Sequence, residues 1–198
     1  MIVGFVGLIG SGKDTAADYL ISSFGYSRDS FAGPLKDAVS SVFGWDRELL
    51  EGRSQISREW REKVDEWWAN RLSMPHLTPR WVLQYWGTDV FRNHFHQDIW
   101  IASLENKLCK SKGNVVITDC RFQNEAMAIK NAGGKVIRIK RGIDPEWFEF
   151  AREYPQHMIQ VYPEIHASEY CTAAIEYDHL VTNDGSVHDL CDQIKNLV

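Results

Sequence analysis

Gly7, Gly12 and Lys13 stand at the spacing of the phosphate-gripping pattern G-x-x-x-x-G-K-[ST], in the stretch VGLIGSGKDTAADYL that begins at Val6. In such a loop backbone N–H groups wrap the phosphates, and the following helix points its positive end at them. Lys13 adds a mobile cation for the β- and γ-phosphates of a nucleoside triphosphate. One letter departs from the pattern. Asp14 occupies the place of the magnesium-binding hydroxyl, and Thr15 supplies a hydroxyl one residue later, within reach of the α-phosphate. Asp14 falls in the first helical turn, where the dipole favours an anion, and a metal ion is its natural partner. A plain glycine turn is the competing reading. The spacing, the lysine and the strand–loop–helix order weigh against it.

A second acid suits the same chemistry. Asp119 follows the apolar run Val115–Thr118, like an acid that positions magnesium through water at a strand end, although a helix-capping aspartate would look similar. Phosphoryl transfer between oxygens needs little covalent help, so positioning and charge neutralisation must supply most of the rate. Cations matter more than a nucleophile. Arg53, Arg58, Arg80, Arg92, Arg121, Arg138 and Arg141 lie downstream of the loop, and Arg80, Arg92 and Arg121 each adjoin a turn or strand end. The chain has eight tryptophans, of which Trp86 and Trp100 flank GTDVFR and could stack on a planar base. Core packing is the simpler role for either. His94 and His96 diverge at i, i+2 on a helix and read as surface or core histidines, not as a metal pair. The HASE stretch at 166–169 is either a lid contact or another helix cap.

These residues need elements to hold them. Ile2–Val6 reads as a buried strand and 14–24 as a helix with Ala16, Ala17, Leu20 and Ile21 on one side. FAGPLKDAVSSVFG turns at Gly33-Pro34, and Leu35, Ala38, Val39, Val42 and Phe43 then recur at helical spacing. Within the polar span 45–76, REWREKVDEWW reads as one surface helix. Thr78 is a natural N-cap with Pro79 at the first helical position. Val115–Thr118 is a second buried strand, followed by a helix stopping at Gly133-Gly134, and KVIRIKR is a third. Residues 142–176 look aromatic, acidic and irregular, as an insertion or lid would. The final stretch gives a strand, an Asn-Asp-Gly turn and a helix. Ser186 and Asp189 form its capping box, and Val187, Leu190, Cys191, Ile194 and Leu197 form its buried stripe. Alternating strands and helices imply an α/β fold with a parallel sheet.

The totals exclude several classes. A chain of 198 residues with 44% hydrophobic content can build one compact domain. Its net charge of -5 argues against a general nucleic-acid or membrane-surface binder. Cys109, Cys120, Cys171 and Cys191 show no zinc-type spacing and read as reduced thiols of a cytosolic protein. No apolar run approaches the ~18 residues a bilayer requires. The opening MIVGFVGLIG lacks the basic flank of a signal peptide and runs directly into the glycine loop. A GTPase is disfavoured because the second strand ends DCRF and no N-K-x-D occurs. A small kinase needs only the loop, a metal and extra cations.

Taken together, GLIGSGKDTAAD, FAGPLKDAV, TPRWVLQYWGTDVFR, VVITDCRFQNEA, GGKVIRIKR, HASE and NDGSVHDL resemble the phage-type deoxynucleoside monophosphate kinases, in family order and almost end to end. The weak spans are 45–76 and 142–165. The resemblance implies a P-loop NTPase fold of adenylate-kinase type, a parallel sheet flanked by helices. It implies one kinase domain over 1–198, with a helical monophosphate-binding insertion near 45–80 and a lid-like segment near 142–170. It also implies transfer of the γ-phosphate of ATP, with Mg2+, to a deoxynucleoside monophosphate. On that basis Gly10, Ser11, Gly12, Lys13, Asp14, Thr15 and Arg141 would hold ATP, and Asp14 and Asp119 the metal. Lys36, Arg80, Trp86, Asp89, Arg92 and Trp100 would face the monophosphate, with Lys13, Arg92 and Arg121 at the transferring phosphoryl. The lid is short and HASE matches loosely, which leaves base selectivity open. Such an enzyme is expected to be virus-encoded, as in a bacteriophage, and cytoplasmic, with no nucleic-acid or membrane partner; a homodimer is one option for its assembly. Two alternatives stay open: another small P-loop kinase, such as a dephospho-coenzyme A kinase, and a non-catalytic NTP-binding module.

Overall fold

The computed structural model describes residues 1–110 and 113–198, apart from the Ser168 side chain. In chain order the first half runs β1 (Ile2–Val6), α1 (Lys13–Phe24), β2 (Ser27–Asp29), α2 (Gly33–Phe43), a 3-10 turn (Leu49–Glu51), α3 (Gln55–Arg61), α4 (Glu66–Leu72), α5 (Pro79–Gln84), a π-helix (Tyr85–Phe95) and α6 (Ile99–Lys110). The second half runs β3 (Val115–Ile117), α7 (Gln123–Asn131), β4 (Lys135–Lys140), α8 (Trp147–Glu153), α9 (Met158–Val161), α10 (Ala167–Tyr170), β5 (His179–Thr182) and α11 (Val187–Lys195), with 3-10 turns at Pro155–His157 and Cys171–Ala174. The chain divides into two compact units, Met1–Phe31 with Leu104–Val198, and Ala32–Ser103.

The first unit is the α/β body. Its sheet is wholly parallel in the order β2-β3-β1-β4-β5. A parallel sheet must be covered on both faces, and β1 shows how. Val3 and Phe5, both 0% exposed, pack with Ala16, Ala17 and Leu20 of α1 and with Leu190 and Ile194 of α11. Gly4 points to the other face, where a Cβ would meet Ile129 of α7 at 2.5 Å. The glycine lets α7 close on the sheet. Every strand therefore ends on the same edge, and that edge carries the phosphate loop after β1, Thr118-Asp119 after β3 and Arg141 after β4.

The second unit holds its own core of Leu35, Val39, Trp45, Leu50, Leu77, Val82 and Trp100. Its helices correct the expectation of one surface helix over REWREKVDEWW. The run breaks after Arg61 because Asp65 caps α4, accepting the Trp68 N–H at 3.1 Å, and also accepts the Trp45 indole N–H at 2.7 Å. Trp60 and Trp68 are turned onto the core by that break. The expected N-cap at Thr78 is present, with its hydroxyl accepting from the Trp81 N–H at 3.1 Å.

Two more expectations need correction. Residues 142–176 are largely helical, through α8, α9 and α10, around a core of Phe148, Ala151, Met158, Tyr170 and Ala173. Helices of four to seven residues are too short to show a period in sequence. In α11 the Ser186–Asp189 capping box forms as expected and Leu190 and Ile194 are buried, but Val187 is 62% exposed. Its place in the first turn carries it away from the sheet. The HASE stretch leads into α10, and its Ser168 side chain lies outside the described residues.

Candidate active site

The loop after β1 is built by glycine conformation. Gly7, Gly10 and Gly12 have φ of 151°, 79° and 105°. Gly7 also has no room for a side chain, since a Cβ would lie 2.2 Å from the Ile139 carbonyl oxygen. A Cβ on Gly12 would meet the Asn183 amide at 2.4 Å. That amide donates to the Ser11 carbonyl at 2.9 Å, while the Asn183 N–H donates to Lys140 O at 2.7 Å. Asn183 thus ties the loop to the end of β4. Sequence reading saw it only as part of an Asn-Asp-Gly turn.

Lys13 lies folded into this loop. Its ammonium donates to the carbonyls of Gly7 at 2.7 Å and Leu8 at 2.9 Å, with Ser11 Oγ at 3.5 Å. Burial lowers its pKa from 10.5 to about 8; the Asp14 charge opposes that shift and the Arg121 charge adds to it. Lys13 and Arg121 are therefore electrostatic neighbours. Backbone carbonyls hold the cation without neutralising it, so an arriving phosphate can take over those bonds.

Asp14 and Thr15 follow on the exposed first turn of α1. Asp14 Oδ1 accepts from Arg28 Nη1 at 2.7 Å. Arg28 is a residue that sequence reading missed, because β2 is only three polar residues long and carries no pattern. Asp119 sits at the end of β3 and accepts the Phe31 N–H at 3.1 Å. Arg121 is two residues on, and its N–H donates to Glu125 Oε2 at 2.8 Å, as does the Phe122 N–H at 3.3 Å. Glu125, 2% exposed, fixes the turn that carries Arg121. Burial, then Glu125 and Asp119, push the Cys120 thiol well up, which keeps it protonated. All four cysteines are free thiols.

Arg141 borders a cavity of about 190 Å³ lined by Leu8–Ser11 of the loop and by Arg138–Arg141 and Asp144. Arg138 and Lys140 are committed within it, to Asp144 at 2.6 and 2.9 Å. Arg138 also lies 4.2 Å over the Phe148 ring. Arg141 is exposed at the edge.

The remaining predicted residues belong to the second unit. Lys36 donates to Glu51 Oε2 at 2.8 Å, and Arg80 pairs with Glu62 at 3.0 Å. Asp89 and Arg92 lie on the π-helix, where Asn93 donates to Asp89 at 3.5 Å. Trp86 is half-buried against Phe43 and Phe91. Trp100 is 7% exposed, and its indole N–H donates to the Gly87 carbonyl at 2.9 Å. The geometry gives it a packing role, anchoring the π-helix.

A family model described as deoxynucleotide monophosphate kinase matches residues 50–194. This chain belongs to that family. A relative from Acanthamoeba polyphaga mimivirus is 33% identical over 100% of this chain and 96% of its own. The deoxynucleotide monophosphate kinase of Enterobacteria phage T4 is 24% identical, over 94% of this chain and 93% of its own. The deoxynucleoside-5′-monophosphate kinase of Escherichia phage T5 is 27% identical over 66% of this chain and 72% of its own. Among solved structures, shikimate kinase from Aquifex aeolicus is 14% identical with a TM-score of 0.45, covering 100% of this chain and 95% of that one. Likeness at that level carries no functional weight. In this family member the P-loop fold is given by the strand order and by the loop itself. Among the described residues, no helix is long and apolar enough to cross a membrane.

Proposed function

We propose that this chain transfers the γ-phosphoryl group of ATP to a deoxynucleoside 5′-monophosphate, giving the diphosphate and ADP. The observation that carries this reading is the Lys13 ammonium, buried against loop carbonyls and electrostatically coupled to Arg121 at the end of β3. Two cations from different strand ends then meet the same phosphoryl group.

The loop N–H groups of Gly10 to Lys13 receive the β-phosphate, with Thr15 toward the α-phosphate and Arg141 beside the nucleoside end of ATP. An oxygen of the acceptor phosphate attacks the γ-phosphorus as its bond to the β,γ-bridging oxygen breaks. Negative charge spreads over the equatorial and leaving oxygens, and Lys13 and Arg121 neutralise it where it develops. Lys36, Arg80, Trp86, Asp89 and Arg92 are assigned to the acceptor, and the helical segment near 142–170 to the lid. Trp100 supports the π-helix that carries Asp89 and Arg92.

Magnesium fits the donor set. Asp14 and Asp119 offer hard carboxylate oxygens, and magnesium is commonly held by one or two carboxylates plus substrate phosphates. Among the described residues no group of three or more metal-ligating side chains occurs, and this mode of binding requires none. When bound, the ion would offset charge on the β- and γ-phosphates. The enzyme acts in the cytoplasm, where ATP and deoxynucleotides are, and packing around C2′ excludes ribonucleotides.

An ADP-release assay across dAMP, dCMP, dGMP, dTMP and dephospho-coenzyme A tests the reading. Turnover with at least one deoxynucleotide, and much lower kcat/KM for the matching ribonucleotide, is expected. Turnover with dephospho-coenzyme A alone would make it another small kinase. Nucleotide binding with no acceptor-dependent turnover would make it a binding module.

A further inference from the structure

Arg28 makes more contacts to the nucleotide end of the body than any sequence pattern suggested. From edge strand β2, Nη1 reaches Asp14 Oδ1 at 2.7 Å and Thr118 Oγ1 at 3.3 Å, while Nη2 reaches Asp18 Oδ1 at 2.7 Å and Asp14 O at 3.4 Å. The Arg28 side chain is 13% exposed, whereas those of Asp14 and Asp18 are 64% and 74% exposed. One guanidinium therefore clamps the first turn of α1 to the residue preceding Asp119.

The clamp answers a problem set by the sequence. Asp14 and Asp18 stand at i, i+4 on α1, where like charges repel. Left alone, an exposed Asp14 side chain would swing among its rotamers, away from its neighbour. Arg28 supplies the opposite charge to both, and its planar fork fixes the direction of the Asp14 carboxylate through one oxygen. A lysine would supply the charge but not the fork.

We propose that Arg28 is a positioning residue for the magnesium site: it orients the Asp14 carboxylate toward the metal and locks it to the Asp119 end of β3. The proposal rests on the reading of Asp14 as a magnesium anchor. Arg28 itself touches neither metal nor phosphate. Groups that hold a metal ligand in place are commonly worth about 10- to 100-fold in metal affinity.

The test measures metal binding without turnover. ADP affinity is determined by titration calorimetry in EDTA and across a magnesium series, for wild type, Arg28→Gln, Arg28→Lys and Asp14→Asn. Arg28→Gln and Arg28→Lys should both raise the magnesium concentration for half-maximal enhancement of ADP binding by about tenfold. ADP affinity in EDTA should stay within about twofold in each, which also shows that the loop is folded. An unchanged or lowered magnesium requirement in Arg28→Gln would overturn the proposal, as would a wild-type titration in Arg28→Lys. Should Arg28→Gln fail to fold, Arg28→Lys decides alone. Asp14→Asn separates the two layers. If it leaves the titration unchanged, the anchor reading itself fails; if it weakens magnesium while the Arg28 variants do not, only the positioning role fails.

Discussion

Lys13 and Lys36 are the two ends of one chemical choice. Lys13 sits in the phosphate loop, held by neutral carbonyls of Gly7 and Leu8, with its pKa lowered to about 8. Lys36 sits in the second unit on the Glu51 carboxylate, which also takes Arg47 and lies 3.7 Å from Arg53. The loop cation is hydrogen-bonded to dipoles, with the Asp14 charge offsetting it in part, and is ready for phosphate. The Lys36 cation shares a carboxylate with two arginines, so those charges hold the α2 and Leu49–Glu51 region together. The loop cation is thus stored against carbonyls, whereas Lys36, assigned to the acceptor, is stored against an acid that it shares with its neighbours.

The largest separation between the regions comes from the loop. Lys13→Ala should lower kcat by about three orders of magnitude with little change in the melting temperature, because it removes transition-state charge and relieves a buried ammonium. Steady-state kinetics and a thermal melt measure both halves. A loss of stability without a loss of turnover would mean that Lys13 serves the fold and not the transfer. Arg121→Ala comes next, at about two orders of magnitude in kcat. Glu125 holds the turn through the backbone N–H groups of Arg121 and Phe122, which the substitution keeps, so the fold is expected to stay intact. Near-wild-type turnover would remove Arg121 from the transferring phosphoryl.

Glu51→Gln should do the reverse. It leaves Lys36 without its acid and Arg47 with Asp37 alone, in a region where Glu51 is 13% exposed. Breaking a fully buried pair costs about 3–5 kcal/mol, and partial access of the arginines to water brings the expectation to about 2 kcal/mol. Denaturant melts measure it. An unchanged midpoint would mean that the acid does not hold this cluster, and the contrast with Lys13 would collapse.

What could be foreseen follows the range of the physics involved. The loop, the Thr78 and Ser186 caps and the Asp119 strand end are local: a few adjacent residues fix the backbone, so spacing in the sequence reveals them. Arg28 was invisible because its partners meet it only after folding, Thr118 through the parallel register of β2 on β3 and Asp14 and Asp18 from α1. The break at Asp65 depends on the Trp45 indole, twenty residues away. Trp100 reads in sequence as a candidate stacking ring, and only its hydrogen bond to Gly87 shows that it holds the π-helix. The helices of 142–174 are too short for a period, and their apolar residues meet each other only after folding.

The smallest effect is read against pH, and there the two regions respond in different windows: stability rises with pH in both, between about 2 and 4.5 for Glu51 and between about 8 and 10.5 for Lys13. Burial by itself would raise the Glu51 carboxyl, but bonds and charge from Lys36 and Arg47 outweigh it and hold the pKa at about 2, against an ordinary 4.5. Between those values the unfolded chain takes up a proton that the folded chain refuses. The contribution of Glu51 is thus complete above pH 4.5 and drains away as pH falls toward about 2, by at most about 1.4 kcal/mol per pH unit. Other carboxylates are also lowered against the effect of burial, Asp144 by Lys140 and Arg138 and Asp178 by the Val136 N–H and Lys130, and they slope the same way. The informative quantity is therefore the difference between wild type and Glu51→Gln, which should narrow steadily below pH 4.5 in thermal melts. Lys13 behaves as a depressed base instead. The cost of burying its charge is carried in full below pH 8 and is relieved as pH rises from about 8 toward 10.5. A gap between wild type and Glu51→Gln that stayed constant from neutrality into acid would show that Lys36 and Arg47 do not grip the carboxylate, and that the second unit stores its cations as the loop does.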